Sequence, residues 1–312
     1  MINLSKESYV VLAGGVGAAK FIDGLRYECD PEKLHIIINT GDDIELFGLK
    51  ICPDLDIITY TMARLVDKKK GWGYQEESFN CLSILKKFYK LGWFNLGDKD
   101  LATHIYRTDL MTQGFSKAEV TKKICKKLDI SATLIPMSNQ EVQTYITTPQ
   151  EKMHFEKYYI KHQCKPKILD VEFQGIKKAK PTPGIIKVLQ KATKIIIAPS
   201  NPIVSIGTIL EVPGIRSELK KLKEKIYAIS PIIQGATIKG PADKLMSALG
   251  YNPTCVGVAK YYEEILGNLI IDKRDKNQKT KIKDLGIKVT CYDTLMTDLT
   301  KKKKLAKFVL TL

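Results

Sequence analysis

The chain of 312 residues lacks the patterns that several common sites and locations require. Its seven cysteines form no CxxC pair and are odd in number, which argues against a zinc site and a disulfide framework. No apolar run is long enough to span a bilayer, and the first residues lead straight into an apolar strand and not into a signal peptide. These absences predict a cytoplasmic protein without a membrane partner.

Arginine is scarce although the chain is strongly basic. The formal net charge is +16, yet only five of the fifty Lys and Arg residues are arginine. Arginine provides the bidentate contacts that favour phosphate and base recognition, so an excess of lysine is weak support for nucleic-acid binding. Lysine runs such as residues 220–225 and 301–304 are typical of solvated helix faces. We therefore expect no nucleic-acid partner.

A glycine turn is present, although two complete phosphate-binding motifs are missing. An apolar segment leads to Gly14, Gly15 and Gly17, and a helix-like segment follows them. The third glycine of the dinucleotide fingerprint is absent, and so is the GxxxxGK[ST] pattern. Such a turn still offers backbone N–H groups and a helix N-terminus to an anion. The alternative is a tight turn that only packs the helix on the strand.

The most acidic stretch, residues 39–56, directly follows a predicted buried strand. It reads NTGDDIELFGLKICPDLD and carries five carboxylates and one lysine. Open α/β sheets bind ligands at the carboxyl ends of their strands, and Mg²⁺ needs only one or two carboxylates beside substrate phosphate oxygens. Asp42 and Asp56 are the favoured ligands, with Asp43 and Asp54 as spare candidates. Asp54 is equally well explained as a residue that complements a helix dipole.

The order of the remaining patterns predicts an α/β fold. We expect a single Rossmann-like domain over residues 1–312, with a mostly parallel sheet, flanking helices and a mainly helical insertion at about residues 60–130. Gly92 and Gly114 are predicted helix ends. The predicted later strands are residues 132–136, 143–147, 194–198 and 226–229, with edge strands at 269–271 and 287–290.

Histidine and serine give weaker signals than the acids. His104 lies on a predicted helix, where a packed, hydrogen-bonded histidine is the more common outcome. Ser200 and Ser230 have no GxSxG context, which disfavours a serine nucleophile. Ser200 and Asn201 instead form a polar turn after a predicted strand, and such turns offer donors to charged oxygens.

Ten segments resemble, in this order, the 2-phospho-L-lactate transferase family of coenzyme F420 biosynthesis: GGVGAAKFIDGL, NTGDD, GLKICPDLD, GWG, LGDKDLATH, MHFEKYYI, APSNPIVSIG, PGIR, SPIIQGATIKGPADKLM and DTLMTD. The likeness extends from Val10 to about Asp298. It implies a Mg²⁺-dependent homodimeric enzyme. Such an enzyme transfers a phospholactyl or phosphoenolpyruvyl group from a guanosine diphosphate ester to the deazaflavin Fo and releases GMP.

The resemblance also implies roles for individual residues. Asp42 and Asp56 match metal ligands, and Asp56 would also lie near the acceptor hydroxyl. Asn95 matches a position that contacts the deazaflavin in relatives. The glycine turn, with Ser200 and Asn201, would hold the guanylyl part of the donor.

Some features depart from the family pattern or leave alternatives open. Relatives differ from one another at the positions of Glu45 and Phe47, and a glycine is frequent where this chain has Gln234, so the deazaflavin contacts and that loop stay open. No motif separates a lactyl from an enolpyruvyl donor. A weaker resemblance to nucleotide-sugar-binding regulators of the gluconeogenesis-factor type implies ligand binding without turnover.

Overall fold

The computed structural model describes residues 7–67, 70–89 and 93–312. The interpretation of residues 1–6 and the predicted helix end at Gly92 therefore fall outside the described part of the chain. Gly114 follows a helix, and its φ of 94° is the value expected for a glycine at a helix end. Among the described residues, no helix is long and apolar enough to cross a membrane.

The described strands belong to one large sheet and three small ones. In chain order they are β1 (Tyr9–Ala13), β2 (Leu34–Ile38), β3 (Ile44–Leu46), β4 (Leu49–Ile51), β5 (Thr133–Pro136), β6 (Gln143–Thr147), β7 (Lys152–His154), β8 (Asp170–Gln174), β9 (Lys194–Ile197), β10 (Ile226–Ile229), β11 (Ile232–Ile233), β12 (Ala236–Thr237), β13 (Asn268–Asp272) and β14 (Lys288–Tyr292). The large sheet has seven strands in the order β14-β13-β10-β9-β1-β2-β5, and every neighbouring pair is parallel.

Helices cover the large sheet and connect its strands. They are α1 (Gly15–Leu25), α2 (Pro53–Met62), α3 (Asn80–Phe88), α4 (Asp98–Thr112), α5 (Lys117–Lys127), α6 (Ile185–Lys191), α7 (Thr208–Glu211), α8 (Ile215–Lys221), α9 (Ala242–Ala248), α10 (Cys255–Tyr262), α11 (Lys279–Lys283) and α12 (Leu299–Thr311). The predicted α/β, Rossmann-like fold is confirmed. The segment at residues 60–130 contains the end of α2 followed by α3, α4 and α5.

The apolar character of the central strands follows from burial on both faces. Every residue of β1 and of β9 is buried. Alternate residues contribute to two hydrophobic clusters: Leu12 and Ile195 belong to one, and Val11 and Ile196 to the other. A parallel sheet covered by helices on both faces requires this continuous apolar run.

Two strands form where the sequence predicted them, but their places in the sheets differ from expectation. The strand at residues 269–271 was expected at an edge, but β13 lies between β10 and β14, and only β14 forms the edge. The strand at residues 143–147 is present as β6, but it is the middle strand of a separate antiparallel sheet with β7 and β8. Strand order depends on long-range pairing, so a local pattern does not determine it.

A hairpin divides the acidic stretch in two. Strands β3 and β4 pair in antiparallel fashion around Phe47 and Gly48, whose φ angles are 55° and 74°. Two consecutive positive φ values are typical of the tight hairpin turn that suits strand twist. Glu45 lies on this hairpin and pairs with Lys50 at 2.6 Å. Asp42 therefore precedes the hairpin, whereas Asp54 and Asp56 follow it in the first turn of α2.

Candidate functional site

A cavity of about 630 Å³ opens at the carboxyl ends of the central strands. The residues after β1, β2, β9, β10 and β14 contribute to its lining. Strand order reverses between β1 and β9, because the chain adds β2 and β5 on one side of β1 and the later strands on the other. Open α/β sheets bind ligands at such a switch point. The cavity is therefore the candidate site.

The glycine turn lines this cavity, but part of its hydrogen-bonding capacity is already used. Gly15 N–H donates to Asp54 Oδ1 at 2.7 Å, and Gly14 N–H donates to Ser200 Oγ at 3.4 Å. A Cβ atom on Gly17 would lie 2.0 Å from the carbonyl oxygen of Pro199, so close packing alone demands a glycine there. The packing explanation for the turn thus holds for Gly17, and Asp54 occupies one of the N–H groups expected to face an anion.

Asp42 and Asp54 share one donor at the base of the cavity. The Asn39 side chain is buried, and its Nδ2 donates to Asp42 Oδ2 at 3.1 Å and to Asp54 Oδ2 at 2.9 Å. Asn39 Oδ1 accepts from Gly41 N–H at 2.8 Å, which fixes the orientation of the amide. Asp42 Oδ1 makes no hydrogen bond of ordinary geometry with any described residue. Asp54 is therefore more than a helix-start residue, because it links the glycine turn to Asp42.

Burial and mutual repulsion make these carboxyl groups hard to ionise. Burial, followed by the charges of Asp54 and Glu156, raises the pKa of Asp42 well above its usual value. Burial raises the pKa of Asp54 to about 6, even though hydrogen bonds from Asn39 and Gly15 lower it. Burial and then the charge of Asp54 raise the pKa of Glu156 to about 8. Asp42, Asp54 and Glu156 thus form an acidic wall of the cavity, and a bound cation would relieve its repulsion.

Asp56 lies in a second cluster on the same cavity and has a cation as its partner. Arg107 Nη1 donates to Asp56 Oδ2 at 3.1 Å, and Nη2 contacts Oδ1. The Asp56 and Arg107 side chains are only 7% and 4% exposed. Burial alone would lower the pKa of Arg107, but the charge of Asp56, its hydrogen bonds with Arg107 and other nearby groups together raise it. Arg107 therefore holds the Asp56 carboxylate in one orientation.

His104 connects Asp56 to Asp100. Its Nδ1 lies 3.1 Å from Arg107 Nη1, and its Nε2 lies 3.3 Å from Asp100 Oδ1. A guanidinium has only donors, so His104 Nδ1 accepts from it, and this assigns the ring proton to Nε2, which faces Asp100. Tyr60 O–H donates to the same oxygen of Asp100 at 2.6 Å. Burial alone would raise the pKa of Asp100, but hydrogen bonds from His104 and Tyr60 lower it.

The structure places most of the predicted site residues on the cavity. Asp42 and Asp56 both line it, but they belong to the two different clusters. Asn95 lines it from the segment before α4, and Ser200 and Asn201 line it after β9. The lining residues predicted from the sequence are Gly14, Gly15, Gly17, Asp42, Asp56, Asn95, Ser200 and Asn201.

Asp43 is the predicted residue that does not face the cavity. Its carboxylate pairs with Lys117 of α5, and both side chains are largely buried. Burial raises the pKa of Asp43, whereas Lys117 opposes this shift. The geometry thus makes Asp43 a support for the loop after β2.

Asn201 lines the cavity, but its Oδ1 is already used within the fold, because it accepts a hydrogen bond from Ile203 N–H at 3.0 Å.

The donors available for a metal ion are carboxylate oxygens and one imidazole. Asp56, Asp100 and His104 offer ligand atoms within 4.8 Å of one another, which marks them as a possible metal group among the described residues. His104 Nδ1 already lies against Arg107, however, and Arg107 already compensates Asp56. Asp42 Oδ1 makes no hydrogen bond of ordinary geometry, and no cation among the described residues pairs with Asp42. A hard cation such as Mg²⁺ therefore fits at Asp42.

Four residues of the two clusters were not predicted from the sequence as site residues: Asn39, Asp100, Arg107 and Glu156. The sequence contained a pattern for one of the clusters, because Asp100, His104 and Arg107 are spaced so that they share one face of α4. Asn39 Nδ2 reaches Asp42 three positions along the chain. Glu156 gave no local signal, since its place beside Asp54 depends on the sheet of β6, β7 and β8.

Comparisons with known proteins assign the whole chain to one family. The family model described as 2-phospho-L-lactate transferase CofD matches residues 9–306. A phosphoenolpyruvate transferase of Streptomyces coelicolor is 38% identical over 310 residues, with 97% of each chain covered. A 2-phospho-L-lactate transferase of Methanosarcina acetivorans is 38% identical over 303 residues, covering 97% of this chain and 98% of the relative.

Solved structures support the same fold. A protein of the UPF0052 family from Bacillus halodurans superposes with a TM-score of 0.68 and 16% identity, covering 99% of this chain and 100% of the other. At that identity, the similarity shows the fold alone.

Proposed function

This chain belongs to the 2-phospho-L-lactate transferase (CofD) family, and from that premise we propose the substrates on which it acts. The family and its relatives support transfer of a phospholactyl or phosphoenolpyruvyl group. We propose that the donor is the corresponding guanosine diphosphate ester, that the acceptor is a hydroxyl of the deazaflavin Fo, and that GMP is the leaving group. The enzyme would then act on small molecules in the cytoplasm, as a homodimer.

The observation that carries this proposal is the arrangement of two acidic clusters on one cavity at the switch point. One cluster has no compensating cation among the residues that the structure describes, and in the other Arg107 orients Asp56. Phosphoryl transfer depends mainly on positioning and on neutralising charge, so it needs a place for a cation and a fixed group near the acceptor oxygen. The two clusters supply one each.

In the proposed reaction, the acceptor oxygen attacks the phosphorus that bears the lactyl or enolpyruvyl group. The bond from that phosphorus to the GMP oxygen breaks, so GMP leaves with the bonding electron pair and the acceptor gains a phosphodiester. Asp56 accepts the hydroxyl proton, and Arg107 keeps its carboxylate pointed at the reacting oxygen. His104 lies between Arg107 and Asp100, with its Nε2 proton directed at Asp100, and so links the Arg107 pair to Asp100.

We propose Mg²⁺ as the cofactor, with Asp42 and Asp56 as ligands. Asp54 competes with Asp56 for the second position, because Asn39 ties Asp54 to Asp42. Mg²⁺ at this position would neutralise charge on the diphosphate. The glycine turn, Ser200 and Asn201 line the part of the cavity proposed for the guanylyl group, and Asn95 lines the part proposed for the deazaflavin.

The direct test is incubation of the purified protein with Fo, Mg²⁺ and either the lactyl or the enolpyruvyl donor. Mass spectrometry of the deazaflavin identifies which group is transferred, and chromatography measures GMP. We expect one mole of GMP for each mole of deazaflavin product. Binding of Fo without GMP release from either donor would contradict transfer and would support the non-catalytic regulator of the gluconeogenesis-factor type.

A further inference from the structure

Two lysines in the lining of the cavity belong to neither of its acidic clusters. Lys20 belongs to α1, directly after the glycine turn, and Lys239 follows β12. Both line the cavity. Partial burial and then the charge of Lys20 lower the pKa of Lys239, which agrees with two ammonium groups facing the same space.

Neither lysine has an anionic partner among the residues that the structure describes. No hydrogen bond or ion pair joins Lys20 or Lys239 to another described side chain, whereas nearby Lys70 lies 3.9 Å from Asp67. The cavity carries five carboxyl groups in its lining, yet none of them pairs with these lysines. Positive charge that is left uncompensated beside a ligand cavity is suited to an anionic ligand.

Trp72 brings the lysines together at one place. The Lys239 ammonium lies 5.9 Å from the centre of the Trp72 ring, within range of a cation–π contact. On the preceding residue, a Cβ added to Gly71 would lie 3.7 Å from Lys20 Cε. Lys20, Lys239 and Trp72 thus form a compact group in the cavity lining, which we call the lysine–tryptophan group.

We propose that the lysine–tryptophan group is a binding subsite for an anionic oxygen group of the donor, either a phosphate or a carboxylate. Lys20 and Lys239 would contact the anion from two sides, and Trp72 would form the adjoining wall. The inference rests on the proposed function for the identity of the donor. Binding of the subsite to anions is nevertheless measurable without any turnover.

The chain offers a direct reporter, because it has only two tryptophans. Trp93 does not line the cavity, so Trp93→Phe leaves Trp72 as the single tryptophan, which excitation at the long-wavelength edge of its absorption selects over tyrosine. We expect GDP or 2-phospholactate to change the emission of this variant in a saturable manner. In that background, Lys239→Met and Lys20→Met should each weaken binding about tenfold to a hundredfold, the usual size for loss of a hydrogen bond to a charged group.

Lys70→Met is the matched control. Lys70 lies 5.8 Å from the same ring, but it does not line the cavity. Its replacement removes a cation beside the fluorophore without removing a ligand contact, so the dissociation constants should not change. Circular dichroism and thermal unfolding establish that each variant is folded.

Different ligands identify the bound group. A lysine-dependent affinity for GDP assigns the subsite to phosphate, and one seen only with 2-phospholactate assigns it to the carboxylate end. Guanosine, which has neither group, should bind all variants equally. Equal affinity of the Lys239→Met and Lys70→Met variants for both anions, or no binding of either anion to the parent, would overturn the proposal. Lysine-dependent binding without transfer from either donor would support the subsite and contradict the proposed reaction instead.

Discussion

Replacing Arg107 with methionine tests whether the fold depends on the pairing of Asp56. The two side chains are 4% and 7% exposed, so the change leaves a carboxylate buried without its cation. Removing one partner of a buried pair costs about 3–5 kcal/mol. We expect a decrease of that size in the free energy of unfolding at pH 7, measured by urea titration followed by circular dichroism.

A double variant separates the charge from lost packing. Arg107→Met with Asp56→Asn removes both charges, so it should regain a large part of the stability that Arg107→Met loses. Lys220→Met is the control, because Lys220 Nζ lies 2.8 Å from Glu264 Oε2 in a pair whose side chains are 45% and 62% exposed. It should cost at most about 1 kcal/mol. A loss below about 1 kcal/mol for Arg107→Met, or a double variant less stable than the single one, would refute the reasoning.

Further predictions concern the two acidic clusters. Asp56→Asn and Asp42→Asn should abolish transfer while circular dichroism stays unchanged; near-normal turnover of either at saturating Mg²⁺ would rule out its assignment. At ten times its dissociation constant, Mg²⁺ should stabilise the parent protein by about 1.4 kcal/mol in urea titrations, and Asp42→Asn should lose this gain. An undiminished gain in that variant would place the metal elsewhere. Because the folded pKa of Glu156 is raised from 4.5 to about 8, its contribution to stability falls as the pH rises between these values. Glu156→Gln should flatten that part of the pH profile, and an unchanged slope would contradict the raised pKa.

Local patterns were sufficient for much of the fold. Strand β10 has the bounds that its apolar run predicted, because a strand buried on both faces needs an uninterrupted run of such residues. The pattern failed for β13, which was expected at an edge and lies inside the sheet. Edge and central strands of a covered parallel sheet have similar composition, so their order depends on pairings distant in the chain.

The site was predictable where its residues are neighbours in sequence. Asp42, Asp54 and Asp56 were all in the acidic stretch, but the stretch did not indicate which of them would share a partner. Arg107, which lies 51 residues after Asp56, compensates the charge of Asp56 and so separates it from Asp42 and Asp54. No local pattern reports such a distant cation, and for the same reason Glu156 was not predicted.

The presence of both an acidic wall and two lysines in one cavity constrains how a donor can bind. Asp42, Asp54 and Glu156 resist ionisation until a cation joins them, whereas Lys20 and Lys239 attract anions directly. A ligand with two anionic parts is therefore expected to bind in one direction, with one part next to the cation at the acidic wall and the other at the lysines. Asp56 is not part of that wall in this arrangement, because it is paired with Arg107. Charge compensation would thus orient the donor, and the Arg107 pair would orient the base.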